Sequence, residues 1–255
     1  MIKKLDFGVF FTCFTEFNAV EHSLDKLFSI YPEIPVFLIS DGGDDYSKLE
    51  NKFKGLKTSL EHDSRGGIPK INDSIYLNPE NQKYMIDSIF TFLERINKSI
   101  DYCKKPYILI MEPDLLVRGE LNIEEDAHIS GSKVNLYHWA SERINKILSG
   151  IEGSIPVSHY GFLAILKCES FKKVYDFFKK NPEYIKEFCQ IDSQFSNYDI
   201  FLVVLFAAMG YELVENDEIV ECLRDPMWRL SGHPLVHQFR EHYPANNYTG
   251  RHSNG

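Results

Sequence analysis

The chain has 255 residues, 44% hydrophobic and 25% charged, the balance of an ordinary soluble protein with length enough for a sizeable core. A formal charge of -9 argues against a general binder of nucleic acid or anionic membrane, although an anionic small molecule needs only a local basic patch. The cysteines Cys13, Cys103, Cys168, Cys189 and Cys222 are odd in number and scattered without a CxxC pair, which argues against a zinc site or disulfide framework and for a reducing compartment.

In chain order, the N-terminus meets Asp6 before any long apolar stretch, so no signal peptide is expected. Phe7 to Phe11 reads as a first strand. Val20, Leu24, Leu27 and Phe28 then mark a helix from about Ala19 to Ile30, which Tyr31-Pro32 ends. Val36 to Ser40 is a second buried strand, and Asp41-Gly42-Gly43-Asp44-Asp45 turns out of it. A short helix over Tyr46 to Lys54 leads to a third strand at Thr58 to Glu61. This alternation is the mark of βαβ units and a parallel sheet. His62 to Asn81, rich in Gly, Pro, Asn and charge, reads as a long loop of the functional or mobile kind. Met85, Ile89, Leu93, Ile96 and Ile100 line one face of a helix over Gln82 to Tyr102.

That helix feeds Tyr107-Ile108-Leu109-Ile110-Met111-Glu112-Pro113-Asp114, an apolar strand ending in two carboxylates. A strand apolar throughout is buried on both faces, and side-chain alternation predicts that Glu112 and Asp114 leave its end on the same side. Acids at the C-terminal edge of such a sheet stand where open α/β folds bind ligands. Paired hard oxygen ligands suit a divalent cation that also grips a diphosphate. The alternative is an acidic turn after a core strand.

The second half is less regular. One strand is expected within Ala127 to Trp139 and another within Pro156 to Leu166. A helix over Glu169 to Lys180 closes at Asn181-Pro182. Tyr198 to Met209 is a strongly apolar helix capped by Gly210, with a strand at Glu212 to Val214. Its apolar stretch from Ile200 to Met209, ten residues, is too short to span a bilayer. The reading is a single domain over residues 1–244 with a disordered tail at 245–255, in a soluble cytoplasmic protein.

Four stretches in this order resemble nucleotide-sugar-dependent glycosyltransferases of the A-type fold. They are Phe11-Thr12-Cys13-Phe14-Thr15-Glu16, Leu38-Ile39-Ser40-Asp41-Gly42-Gly43, Glu112-Pro113-Asp114 with Leu115-Leu116-Val117, and Asn197-Tyr198-Asp199 opening the apolar helix. The resemblance implies an α/β fold with a mostly parallel central sheet flanked by helices and an irregular C-terminal segment. It implies transfer of a sugar from a nucleoside-diphosphate sugar, a UDP-sugar being favoured, to a glycan or other hydroxyl acceptor.

On that reading Thr12 and Phe14 hold the nucleobase, with Phe14 alternatively a core residue. Asp41 accepts hydrogen bonds from base or ribose, or is a turn acid, and Asp44 is a weaker candidate. Arg65, in Ser64-Arg65-Gly66-Gly67, grips a phosphate if it is not merely solvated. Asp114 and Glu112 hold Mn²⁺ or Mg²⁺ on the diphosphate, although the family usually carries Asp where Glu112 stands. In several such enzymes a C-terminal histidine joins the metal, and His237 matches better than His233 or His242. In inverting members an acid at the start of the apolar helix is the base, which assigns Asp199, with Asp192 as fallback. Otherwise Asp199 is a helix N-terminal acid. Trp139, His159 and Trp228 are candidates for sugar stacking or acceptor contact. Two readings compete: a retaining glycosyltransferase of the same fold, in which Asp199 is no base, and a degenerate domain that binds glycan without transfer. Thr12 to Glu16 holds no glycine, which argues against a pyrophosphorylase or a dinucleotide-binding dehydrogenase.

Overall fold

A computed structural model describes residues 2–61, 79–136, 138–161, 165–191, 198–221 and 233–237. Its elements in chain order are β1 (Ile2–Lys4), β2 (Phe7–Cys13), α1 (Phe17–Ile30), β3 (Val36–Asp41), a 3-10 turn (Ser47–Asn51), β4 (Leu56–Glu61), α2 (Pro79–Cys103) and β5 (Tyr107–Met111). There follow β6 (Leu115–Val117), β7 (Asn122–Glu124), β8 (Ile129–Gly131), β9 (Val134–Asn135), α3 (His138–Leu148), β10 (His159–Tyr160) and β11 (Ile165–Lys167). The chain continues through α4 (Cys168–Lys180), α5 (Pro182–Cys189), α6 (Tyr198–Ala208), β12 (Leu213–Glu215), β13 (Ile219–Glu221) and β14 (Leu235–His237). These elements group into two compact units, one from Met1–Ser64, Lys98–Glu125 and Asp217–Gly255, the other from Arg65–Asn97 and Asp126–Asn216.

The first unit is built on parallel strands. β2 pairs with β5 on one side and β3 on the other, and β3 pairs with β4, each in parallel. Val9, Phe10, Phe11, Val36, Leu38, Ile39 and the whole of β5 are buried. Uninterrupted apolar strands of this kind need cover on both faces, and helices supply it. The last turn of α2 lies so close on β2 that a Cβ at Gly8 would come within 2.4 Å of Cys103 Cβ, so only glycine fits there. Beside it the Tyr102 ring packs on Phe37 at 5.6 Å. α1 turns Ala19, Val20, Leu24, Leu27 and Phe28 inward at the expected helical spacing, and Phe28 stacks on Phe53 at 4.9 Å. The irregular part of this unit is a three-stranded sheet, β13 parallel to β14 and β14 antiparallel to β6, joined by an antiparallel β1–β7 pair.

The second unit pairs β8 with β12 in parallel and with β11 antiparallel. α6 is its central helix, with every residue from Asp199 to Ala208 buried. Phe92 of α2 stacks on Tyr198 at 5.0 Å and meets Phe201 edge-on at 5.8 Å, so the start of α6 is gripped by aromatic rings. The helix ends where Gly210 adopts φ +77, a left-handed conformation favoured at helix C-termini by glycine. Among the described residues, no helix is long and apolar enough to cross a membrane.

Several elements differ from the sequence reading. The expected long loop begins to be helical by Pro79. The strand expected within 127–139 is present as β8 and β9, but Trp139 at the end of that window stands in α3, a helix that the sequence reading does not include. Pro182 not only follows the end of α4 but opens α5 at its first turn, where proline's missing N–H costs nothing. The expected short helix after β3 is a 3-10 turn of five residues.

Candidate functional site

The C-terminal edge of the parallel strands in the first unit gathers most of the candidate residues. The register sets Phe11 opposite Met111, Thr12 opposite Ile39, Cys13 opposite Ser40, and Asp41 opposite Glu61. Thr12 and Asp41 therefore share a face, since Asp41 lies two residues beyond the partner of Thr12. Asp41 closes β3 and is 5% exposed; Asp114, just past β5, is 4% exposed. Glu112 is half-buried.

The two acids of Glu112-Pro113-Asp114 do not continue the strand. β5 ends at Met111, and Leu115 N–H donates to the Glu112 carbonyl at 3.0 Å, closing a turn before β6. Strand alternation thus stops short of Glu112, and the turn rather than the pleat sets the directions of both carboxylates. Ser23 of α1 holds this turn, donating from Oγ to the Pro113 carbonyl at 3.0 Å. A fully buried serine within the apolar stripe of α1 is the signal by which the sequence could have pointed to this clamp.

The loops after β2 and β3 are pinned to one another. The Phe14 carbonyl accepts from Asp44 N–H at 2.9 Å and from the Tyr46 hydroxyl at 2.9 Å. Phe14 N–H donates to Glu16 Oε2 at 3.1 Å, and Asp45 Oδ1 accepts Ser47 N–H at 2.8 Å. Gly42 sits at φ +68. A Cβ at Gly43 would come within 2.2 Å of the Phe14 carbonyl oxygen, a backbone atom that cannot swing away. Tyr46 stacks on Phe17 with centroids 5.4 Å apart, and Lys48 Nζ stands 3.9 Å from the centre of the Phe17 ring. Burial pushes the Tyr46 phenol far above its ordinary range and, as the largest cause, raises the Cys13 thiol well above its own. Both stay protonated at neutral pH, so the loop contact is neutral. Gly43→Ala should separate the two loops, lowering stability by about 1–3 kcal/mol as overpacked sites do. Urea unfolding measures that loss, and a nucleotide titration should show weakened binding alongside it.

His237 is the last residue of β14, and its backbone stands opposite Leu115 in the antiparallel β14–β6 register, one residue past Asp114. His233 is half-buried in the segment before it, and His242 lies outside the described residues. Arg65, Asp192 and Trp228 also lie outside them. In the second unit, Asp199 occupies the first turn of α6 and is 6% exposed. His159 on β10 shares a hydrogen bond of 2.8 Å between its Nδ1 and Ser158 Oγ.

Among the described residues, no group of three or more His, Cys, Asp or Glu is placed to hold a metal ion. That does not conflict with a divalent cation at Glu112 and Asp114. A hard, Mg²⁺-like ion is typically held by one or two carboxylates, with water and substrate phosphates completing its shell. Two carboxylates in one three-residue turn, one of them buried, make a donor set of that type.

No protein-family model matches the chain, and no curated protein matches it in sequence. Solved structures do match in fold. One is a galactosyltransferase, LgtC, in complex with donor and acceptor sugar analogs, at a TM-score of 0.58 and 15% identity, covering 91% of this chain and 87% of the other. Another is a glutamine-to-glutamate active-site variant of LgtC, at a TM-score of 0.60 and 15% identity, covering 95% and 92%. The fold is that of an A-type glycosyltransferase. On such a fold, the C-terminal strand edge carrying Asp41, Glu112 and Asp114 is the place where an open α/β sheet receives its ligand.

Proposed function

We propose that the chain is a glycosyltransferase that moves a sugar from a nucleoside-diphosphate sugar, a UDP-sugar being favoured, to a hydroxyl acceptor such as a glycan. The observation that carries this reading is the gathering of Thr12, Asp41, Glu112 and Asp114 at one C-terminal edge of parallel strands. The fold match to a galactosyltransferase solved with donor and acceptor sugar analogs supports it. Phe14 and Thr12 present an aromatic face and a hydroxyl to the nucleobase, and Asp41 accepts from base or ribose. Arg65 contributes a guanidinium to the phosphates. Glu112 and Asp114, with His237, hold Mn²⁺ or Mg²⁺. When bound, that ion supplies Lewis-acid charge neutralisation to the departing diphosphate. Asp199 takes the proton from the acceptor hydroxyl as its oxygen attacks the anomeric carbon. The bond from that carbon to the phosphate oxygen breaks, and the configuration inverts.

Thermal unfolding with a panel of nucleoside diphosphates and nucleotide sugars, with and without Mn²⁺, tests the reading. A ligand present at 100 times its Kd adds about 2.7 kcal/mol to native stability, a shift readily seen. A UDP-sugar with Mn²⁺ should raise Tm most. Slow hydrolysis of that donor without acceptor should separate transfer chemistry from mere binding. If no nucleotide or nucleotide sugar raises Tm, the assignment fails.

A further inference from the structure

The acidic turn is clamped from two directions, by Ser23 on one side and by the C-terminal strands on the other. The second clamp runs through one carboxylate. Glu218 Oε2 accepts the backbone N–H of Asn122 at 2.6 Å, and its Oε1 accepts Asn122 Nδ2, also at 2.6 Å. Both oxygens thus meet donors of a single residue, the first of β7. The carbonyl of Glu218 in turn accepts Leu235 N–H at 3.2 Å, just where β13 and β14 begin to pair. Next to it, Arg118 N–H donates to the Pro234 carbonyl at 2.6 Å, and a Cβ at Gly119 would stand 3.3 Å from Pro234 Cβ. The Tyr31 hydroxyl accepts Leu121 N–H at 2.6 Å. Burial first, then the charges of Glu120 and Glu218, raise the Tyr31 phenol, so it remains neutral.

We infer that Glu218 is a positioning residue: it latches the β13–β14 segment to the start of β7 and thereby fixes the register that sets His237 opposite Leu115, beside Asp114. β13 and β14 are three residues each, too short to specify their own pairing. A slip of one residue would put Val236 opposite Leu115 and move His237 out of its place at that register position. A carboxylate suits the latch because Asn122 offers two N–H donors, and charge-assisted bonds are short and strong. A glutamine has the same size but presents an NH₂ to one of those donors.

This inference rests on the reading of His237 as a metal-site residue, and the test separates the two. Full-length wild type, Glu218→Gln, His237→Ala and the double variant are compared by amide hydrogen exchange and by Mn²⁺ titration in the presence of UDP. Glu218→Gln should speed exchange at Leu235–His237 and Leu115–Val117 by about tenfold or more, and weaken Mn²⁺ by roughly 10–100-fold, as loss of an outer-shell partner does. UDP affinity without metal should stay within about twofold. The double variant should bind Mn²⁺ no more weakly than His237→Ala alone. Unchanged exchange in Glu218→Gln overturns the latch. Faster exchange with unchanged Mn²⁺ affinity, or additive losses in the double variant, overturns its positioning role. If wild type itself binds no Mn²⁺ with UDP, the metal reading of the site falls, and the positioning role falls with it. The exchange data still judge the latch alone. Glu218→Gln preserves volume, so the test stands even where Glu218→Ala does not fold.

Discussion

Asp114→Asn is expected to remove Mn²⁺-dependent donor binding and to lower kcat/KM by at least about 10²-fold, because several kcal/mol of transition-state stabilisation depend on a charged metal ligand. The substitution keeps size and shape, so the turn survives: its closure uses the Glu112 carbonyl, Leu115 N–H and Ser23 Oγ, and none of these belongs to the Asp114 side chain. Glu112→Gln should cost less than Asp114→Asn. Asp114 is 4% exposed whereas Glu112 is half-buried, and a buried carboxylate interacts with a bound cation in a lower dielectric. The measurement is a pair of titrations for each variant, UDP with and without Mn²⁺, together with steady-state kinetics. Equal activity of Asp114→Asn and wild type at limiting Mn²⁺ would remove the metal from this turn.

What the sequence made legible follows the range of the interactions involved. β5 could be read because five consecutive buried residues leave no other element possible at that length, and α6 because its apolar run is longer than a strand. α3 escaped: Ala140, Ile144 and Leu148 recur at helical spacing, but the stretch between the two expected strands is assigned no element in the sequence reading. β13 and β14 had no local signature. β14 pairs with β6, more than a hundred residues away in sequence, β13 pairs with β14, and the carboxylate just before β13 bonds Asn122 across 96 positions. The same holds at the site. Asp41, Glu112 and Asp114 were visible because each ends an apolar strand or follows one directly. Their supports were not. Ser23 reaches Pro113 across 90 positions and Tyr46 reaches Phe14 across 32, and only the folded chain brings those partners together.

Asp199→Asn is expected to lower kcat by about 10² to 10⁴ while leaving donor affinity nearly unchanged. A base contributes mainly as the proton leaves the acceptor hydroxyl, so its loss falls on turnover and not on the nucleotide. The position favours such a role. α6 is buried from Asp199 to Ala208 and its first turn is held by Phe92 against Tyr198 and Phe201, so the carboxylate stands on a rigid element. Rigidity matters because proton transfer requires hydrogen-bond reach to the acceptor oxygen in the reacting geometry. Asparagine fills the same volume, so helix packing should persist. The loss is then chemical and not structural. The contrast with Asp114→Asn is diagnostic: that variant loses metal-dependent donor binding, whereas Asp199→Asn keeps it. Steady-state kinetics, a donor titration and the anomeric configuration of the product decide the matter together. Near-normal turnover in Asp199→Asn, or a product that retains the donor's configuration, would reject Asp199 as the base and put the retaining reading in its place.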